Sequence, residues 1–245
     1  MPKPDIVAHR GGSVFPENSS AAFKYACTLG VEQLEFNVHL SRDDELVVIH
    51  DFDLDQTTLS SGPVRERTVT ELAAVRLRGI DEGVPSFDEL MAYLATQSIR
   101  PRIEIKTDDR PGAYAKMYDR IMRALVRHDM TRRATVMAFD LEALPGFISD
   151  GIDTSLTWMN HGEISKEEFE ESLAGMRALG ISDIGLSYGA TTHAILQSVA
   201  AYGLTAGVWT VNGPGRLHYW LRMPVSYIIT DQPELASHIR EAVVA

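Results

Sequence analysis

Eight short runs of apolar or β-branched residues recur along the chain, separated by longer segments, several of which have helical periodicity. The runs are DIVAHR, QLEFNV, RIEIK, ATVMAF, TSLTWM, DIGLSY, TAGVWTV and SYIIT. Alternation of strand and helix is typical of a parallel sheet with helical crossovers. Eight such units in 245 residues predict one α/β domain over residues 1–245, a (β/α)8 or TIM barrel. A doubly wound sheet is the alternative, but it more often has fewer strands and a glycine-rich turn after the first.

One region interrupts this repeat, from about Asp51 to Pro85. It contains turn residues, a hairpin pattern around Ser61 to Pro63 and one short helical piece. We interpret it as a small insertion after the second strand, before a helix that begins near Ser86. Because barrel active sites lie at the carboxyl ends of the strands, we expect this insertion to overhang the site.

The charge and hydropathy of the chain limit its partners. Its formal net charge is -11 and it has no basic run, which argues against a nucleic-acid partner. No apolar run approaches the ~18 residues that suggest a membrane span, and the first residues lack a secretory leader pattern. We therefore expect no membrane insertion and a cytoplasmic location. The single cysteine excludes an intramolecular disulfide, and the sequence leaves open whether the protein forms a homo-oligomer.

Polar side chains gather where the predicted strands end. In chain order they are His9, Arg10, Glu35, Asn37, His50, Glu104 and Lys106. Because side chains alternate along a strand, Glu35 and Asn37 share one face, as do Glu104 and Lys106. The opposite, apolar face of the second strand must meet the helices, so its polar face points into the barrel mouth. Two inward-facing acids need a counter-charge, which a bound divalent cation would supply.

Several motifs in this chain resemble, in the same order, those of the glycerophosphodiester phosphodiesterase family. They are HRGG (9–12), PENSSAAF (16–23), LEFNVHLSRDDELVVIHDFDLDQTT (34–58), VPSFDEL (84–90), IEIK (103–106), WTVN (209–212) and TDQP (230–233). The resemblance implies a barrel with a small insertion after the second strand. It also implies a small-molecule substrate, a glycerophosphodiester hydrolysed to sn-glycerol 3-phosphate and an alcohol.

The resemblance further implies a role for each polar residue at the strand ends. It implies acid/base catalysis for His9 and His50, ligation of Mg²⁺ or Ca²⁺ for Glu35, Asn37 and Glu104, and phosphate contact for Arg10 and Lys106. These residue types suit the reaction, because histidine exchanges protons near neutral pH and cationic groups stabilise charge that develops on phosphoryl oxygens. Which histidine is the acid stays open. So does the choice between attack by water and attack by a neighbouring hydroxyl of the substrate.

For other residues near the strand ends, the sequence gives less support for a function. Trp158, Tyr188 and Trp209 follow or end the fifth, sixth and seventh strands, where they could form walls of a substrate pocket. In PENSS, Asn18 is expected to cap the first helix, which leaves little reason for Glu17 to be a ligand.

Two positions depart from the family pattern, which has aspartate in place of Asn37 and usually arginine in place of Gln56. An amide oxygen at position 37 could still ligate a cation, but the lost charge is worth on the order of 4 kcal/mol at 4 Å and a dielectric constant of 20. We therefore expect weak cation binding that strengthens with substrate. A shifted substrate such as a sugar or opine phosphodiester, a phosphodiester-binding protein without turnover, and a lyase that forms a cyclic phosphate remain alternatives.

Overall fold

A closed barrel of parallel strands forms the centre of the computed structural model, which describes residues 3–158 and 164–244. In chain order the strands are β1 (Asp5–His9), β2 (Gln33–Leu40), β3 (Leu46–Val48), β4 (Arg100–Ile105), β5 (Thr135–Ala138), β6 (Asp153–Trp158), β7 (Asp183–Ser187), β8 (Thr205–Trp209) and β9 (Tyr227–Thr230). β1 pairs with both β2 and β9, which closes the barrel, and β3 adds antiparallel to β2. The predicted (β/α)8 barrel is confirmed, with all eight predicted runs as its strands.

Helices connect the strands around the outside of the barrel. They are α1 (Ser20–Thr28), α2 (Val69–Ala73), α3 (Phe87–Ala95), α4 (Ala113–Arg127), α5 (Pro145–Ser149), α6 (Lys166–Leu179), α7 (His193–Ala201), α8 (Pro214–Trp220) and α9 (Pro233–Val244). Side-chain caps fix several of their starts; Ser165, for example, forms a capping box with Glu168 at the start of α6. Among the residues that the structure describes, no helix is long and apolar enough to cross a membrane.

The two faces of β2 divide as the sequence predicts. Phe36 is fully buried against the helices, with its ring centroid 5.9 Å from that of Phe23 on α1 and 6.2 Å from that of Phe87 on α3. Glu35 and Asn37 are also buried, but they belong to the opposite face, inside the barrel. This alternation aims the polar residues of β2 at the interior.

A buried ion pair fills the barrel interior. Arg102 donates to Asp183 at 3.0 Å, and its guanidinium lies 3.9 Å from the centroid of the Tyr227 ring. Ser155 and Tyr227 also donate hydrogen bonds to Asp183. These partners compensate much of the cost of removing both charges from water. The barrel interior is therefore packed with polar side chains at this level.

The insertion between β3 and α3 has an apolar cluster of its own. Its buried members are Val47, Ile49, Leu54, Val64, Leu72, Val75, Leu77 and Val84. The predicted hairpin is present, because Leu54 N donates to Gly62 O at 3.0 Å and Val64 N donates to Phe52 O at 2.8 Å. The predicted helical piece is α2. The insertion also joins the loop after β4 through an ion pair of 2.8 Å between Arg65 and Asp109.

Candidate active site

A cavity of about 400 Å³ opens at the carboxyl ends of the barrel strands. It is lined by His9, Arg10, Glu35, His50, Glu104, Lys106, Met137, Phe139, Thr157, Trp209, Thr210 and Ile229. The structure thus brings together all the polar residues predicted from the strand ends except Asn37. None of the described residues of the insertion, 51–85, lines this cavity, and the expected overhang of the insertion above the site stays a prediction.

The turn after β1 depends on left-handed backbone conformations. Arg10, Gly11 and Gly12 all have positive φ angles. A Cβ at Gly11 would lie 2.6 Å from the Cβ of Ala22, so only glycine fits there. The turn directs Arg10 N to Glu35 Oε2 at 3.0 Å and places the Arg10 guanidinium against the Glu17 carboxylate, also at 3.0 Å. Glu17 is therefore a partner of Arg10.

Glu35 lies on the cavity wall with both carboxylate oxygens hydrogen-bonded. Arg10 N donates to Oε2, and Asn37 Nδ2 donates to Oε1 at 2.7 Å. Burial raises the pKa of Glu35, and the negative charge of Glu104 acts in the same direction, while His9 and Arg10 oppose the shift. A buried carboxylate beside a second one is an environment that a bound cation would stabilise.

Asn37 lies behind Glu35 and is fully buried. Its nitrogen donates to Glu35, and its oxygen accepts a hydrogen bond from Asn18 Nδ2 at 3.1 Å. In this arrangement Asn37 holds the Glu35 carboxylate in place, and its role as a direct cation ligand stays a prediction. The prediction that Asn18 caps the first helix is wrong: Ser19 caps α1, because Asn18 has a positive φ angle and turns its amide towards Asn37.

The end of β4 supplies a second carboxylate and a cation to the cavity. Lys106 Nζ lies 2.5 Å from Glu104 Oε1, and both side chains are largely buried. Lys106 N also donates to Val38 O at 3.3 Å, which continues the β2–β4 pairing up to the cavity. The backbone hydrogen bond and the ion pair with Glu104 together hold the Lys106 ammonium at the cavity.

His9 is oriented by a carboxylate from the last strand. Its Nδ1 lies 2.5 Å from Asp231 Oδ1, and its Nε2 lies 3.9 Å from Glu35 Oε2. Asn212 Nδ2 donates to the other Asp231 oxygen at 2.5 Å. Burial raises the pKa of Asp231, but the hydrogen bonds from His9 and Asn212 outweigh it, so the pKa lies below its ordinary value. Asp231 and Asn212 belong to the TDQP and WTVN motifs, yet the sequence analysis assigned neither a role.

His50 has a carboxylate partner of its own. Its Nδ1 lies 2.7 Å from Asp51 Oδ1, and its backbone carbonyl accepts a hydrogen bond from His39 Nε2 at 3.0 Å. Burial lowers the pKa of His50, and the positive charges of Lys106 and Arg10 lower it further. Burial also lowers the pKa of His39 to about 4, so His39 is neutral at pH 7 and supports the His50 backbone.

The cavity also has an apolar wall, which includes Met137, Phe139 and Ile229. The rings of Phe139 and Trp209 meet edge to face, with centroids 5.5 Å apart. Trp209 lines the cavity as the sequence suggests, whereas Tyr188 is not among the described residues that do. The side chain of Trp158, the third predicted wall residue, lies outside the described residues. Phe139 was missed, although it directly follows an apolar strand.

The donor set suits a divalent cation only in part. Within residues 3–158 and 164–244, no group of three or more His, Cys, Asp or Glu side chains is arranged to hold a metal ion. The carboxylates of Glu35 and Glu104 do face one cavity, and Mg²⁺ is commonly bound through one or two carboxylates, with water and substrate oxygens as the other ligands. The residues present therefore fit a weakly held hard cation better than a fully protein-ligated one.

Comparison with known proteins identifies relatives over most of the chain. The sequence profile of the glycerophosphoryl diester phosphodiesterase family matches residues 9–235. A putative glycerophosphodiester phosphodiesterase of Bacillus subtilis, YhdW, is 27% identical over 241 residues, covering 94% of this chain and 95% of the relative.

Solved structures share the same fold. A putative glycerophosphoryl diester phosphodiesterase from Silicibacter pomeroyi superposes with a TM-score of 0.89 at 23% identity, covering 100% of this chain and 95% of that one. An Oleispira antarctica phosphodiesterase, solved in complex with the product sn-glycerol-3-phosphate, has a TM-score of 0.84 at 19% identity and covers 98% and 97% of the two chains.

Proposed function

Because this chain belongs to the glycerophosphoryl diester phosphodiesterase family, and is therefore a phosphoric diester hydrolase, we propose that it hydrolyses a glycerophosphodiester to sn-glycerol 3-phosphate and an alcohol by histidine acid/base catalysis. The observation that carries the proposal is the convergence of His9 and His50 on one cavity with two carboxylates and two cationic side chains. Acid/base groups, anions for a cation and cations for a phosphate are the components that phosphodiester hydrolysis needs.

The substrate phosphate belongs between Arg10 and Lys106 in this proposal. Arg10 Nε is buried in the cavity wall without a hydrogen-bond partner in the described part of the chain, while the other end of the guanidinium is held by Glu17. Lys106 contributes a second positive charge from β4. Both groups would stabilise the negative charge that grows on the phosphoryl oxygens as the nucleophile attacks.

The environments of the two histidines support different roles. His50 has a lowered pKa, so it is neutral at pH 7 and can accept a proton from the nucleophile. His9 Nδ1 lies 2.5 Å from Asp231 Oδ1, so Nε2 is the ring nitrogen left to donate a proton in the cavity. We therefore assign His50 as the general base and His9 as the general acid that protonates the leaving alkoxide.

This assignment predicts a pH dependence. Since the pKa of His50 lies below its ordinary 6.5, activity should persist below pH 6.5 and be lost only as the pH falls through the lowered value. The hydrogen bond with Asp51 raises the His50 pKa, so Asp51→Asn should move the acidic limb of kcat/KM to still lower pH. A pH profile of wild type, Asp51→Asn and the exposed neighbour Asp53→Asn as control checks this. A limb at or above pH 6.5, or one that Asp51→Asn leaves in place, contradicts the assignment.

A divalent cation, Mg²⁺ or Ca²⁺, is part of the proposal. Glu35 and Glu104 would hold it, and a bound cation supplies charge stabilisation to the phosphoryl oxygens. Asn37 then acts through Glu35: its amide donates to the carboxylate and fixes its orientation without adding a negative charge. This arrangement supports weak cation binding that improves when a substrate phosphate adds oxygen ligands.

Replacing Asn37 by aspartate should make stability depend on the cation. The substitution replaces the amide that donates to Glu35 by a second carboxylate. The two carboxylates would then lie about as close as the present 2.7 Å between Asn37 Nδ2 and Glu35 Oε1. Without cation we expect a loss of about 2 kcal/mol in the free energy of unfolding at neutral pH, or roughly 4–8 °C in Tm. Saturating Mg²⁺ or Ca²⁺ should recover most of it.

Thermal unfolding with chelator and with cation measures this effect, beside the exposed, charge-matched control Gln197→Glu. Calorimetric titration should also show that Asn37→Asp binds cation more tightly than wild type. Equal unfolding temperatures with and without cation would show that position 37 does not act on the cation site.

The proposed hydrolysis is tested by the identity of the product. Glycerophosphocholine, glycerophosphoethanolamine and a sugar phosphodiester are incubated with the protein and cation, and the products are followed by phosphorus NMR. We expect sn-glycerol 3-phosphate from the glycerophosphodiesters. A cyclic phosphate as the end product would instead identify a lyase, and binding of the diesters without any product would identify a binding protein.

A further inference from the structure

Two polar atoms on the apolar side of the cavity have no hydrogen-bond partner within residues 3–158 and 164–244. They are Thr157 Oγ1 and Trp209 Nε1, and both are buried. Thr157 is 3% exposed, and both residues line the cavity. A buried donor or acceptor that is left unpaired is unfavourable. A ligand that satisfies these atoms would therefore bind more tightly than one that does not.

The position of Thr157 in β6 directs its side chain inwards. Ser155, two residues earlier on the same face, donates to Asp183 inside the barrel. Thr157 follows it towards the carboxyl end of the strand, where the cavity opens. Among the residues that the structure describes, its hydroxyl has no hydrogen-bond partner.

Gly185 on the adjacent strand β7 leaves a space between the two unpaired groups. A Cβ placed on Gly185 would lie 3.4 Å from Thr157 Oγ1, 3.6 Å from Trp209 Cδ1 and 3.3 Å from the Tyr227 hydroxyl. A methyl group at position 185 would therefore contact both hydroxyl groups and the indole edge, and glycine leaves the space above it free of a side chain.

The charge distribution identifies the class of group that fits. The charged lining residues come from β1, β2 and β4 and the segment after β3, whereas Met137, Phe139 and Ile229 dominate the other half. An indole N–H only donates, and a threonine hydroxyl donates or accepts, so together they suit an uncharged hydroxyl. The lining residues of this half are uncharged, and the Lys106 ammonium reaches its edge, 6.0 Å from the centroid of the Phe139 ring.

We propose that Thr157, with Trp209 and the space above Gly185, forms a subsite that hydrogen-bonds a hydroxyl of the substrate's glyceryl group. The proposal rests on the proposed function and extends it to the orientation of the substrate. The glyceryl group lies inwards on the apolar half, the phosphate lies between Arg10 and Lys106, and the leaving alcohol faces the barrel mouth. Thr157 is thus a residue that determines specificity for the glyceryl end.

The test compares two phosphomonoesters by calorimetry in the presence of Mg²⁺. They are sn-glycerol 3-phosphate and propyl phosphate, which has the same charge and chain length but no free hydroxyl. Wild type should prefer the glyceryl ester by about tenfold, the effect of one good hydrogen bond. Thr157→Val should abolish that preference while leaving the affinity for propyl phosphate unchanged, and Thr157→Ser should keep it.

Two further variants separate a specific effect from a folding defect. Thr154→Val is the matched control, because Thr154 lies on the same strand, its hydroxyl is also buried without a partner, and it does not line the cavity. It should leave the preference unchanged. Gly185→Ala should fill the proposed space and reduce the preference while retaining the Thr157 hydroxyl.

The outcomes distinguish the subsite from the proposed function. The proposed subsite is contradicted if wild type binds both esters equally, or if Thr157→Val keeps the wild-type preference. Neither result contradicts the proposed phosphate site. If wild type binds neither ester, the subsite fails together with the product site of the proposed function. If Thr154→Val removes the preference as fully as Thr157→Val, the effect is structural and the subsite is overturned.

Discussion

Replacing His50 by asparagine is expected to lower kcat/KM for a glycerophosphodiester by about 10²–10⁴-fold, the contribution typical of one acid/base group. Asparagine keeps a polar side chain that can hydrogen-bond to Asp51, but it cannot take up a proton near pH 7. Since the proposed loss is in proton transfer, kcat should fall while substrate binding changes little. His9→Asn should cause a loss of the same order, because Asp231 then orients a group that cannot donate a proton to the leaving alkoxide.

His218→Asn is the matched control, because His218 is exposed on α8, far along the chain from the histidines of the cavity. Steady-state kinetics on the three variants, with unfolding temperatures to exclude folding defects, measures the effect. Retention of more than about a tenth of the wild-type kcat/KM by both cavity variants would contradict histidine catalysis.

Replacing Glu104 by glutamine is expected to lower kcat/KM by on the order of 10²-fold or more. The substitution keeps the size of the side chain but removes one of the two carboxylates that face the cavity, and it leaves the Lys106 charge without its 2.5 Å partner. Cation binding should weaken because a single carboxylate, Glu35, remains. Higher cation concentrations should therefore restore part of the activity.

Titration of activity against Mg²⁺ and Ca²⁺ checks this prediction. Glu142→Gln provides the control, since Glu142 is an exposed carboxylate outside the cavity. Unchanged cation dependence in Glu104→Gln would contradict the role of Glu104 as a ligand, even if activity falls through the loss of the Lys106 partner.

The barrel could be predicted because each strand has a local signal. The predicted strands are short apolar or β-branched runs, and the polar face of β2 at Glu35 and Asn37 follows from alternation alone. The packing of the insertion could not be predicted in the same way. Its packing depends on its own apolar cluster and on the ion pair between Arg65 and Asp109, contacts between residues distant in sequence.

In the candidate site, too, some residues could be predicted from the sequence and others could not. Polar residues at strand ends converge because parallel strands present their carboxyl ends together, so the cavity residues His9, Glu35 and Glu104 could be found from the sequence. Their partners could not be found. Asp231 pairs with a histidine 222 positions earlier, and the orientation of the Asn37 amide depends on Asn18.

Wall residues are the hardest to predict from sequence. A threonine within an apolar strand, such as Thr157, looks like any other strand residue. Only the structure shows that its hydroxyl lacks a partner and borders the cavity. The same holds for Phe139, whose residue type is equally common in a core.

The central claim is that this cavity hydrolyses a glycerophosphodiester with the aid of a bound cation. The most direct measurement is the release of sn-glycerol 3-phosphate from glycerophosphocholine by protein freed of metal with a chelator, before and after Mg²⁺ or Ca²⁺ is restored. The account predicts little product without cation, recovery of turnover when it is added, and no recovery in His50→Asn. Equal turnover with and without chelator, or wild-type turnover in His50→Asn, would contradict it.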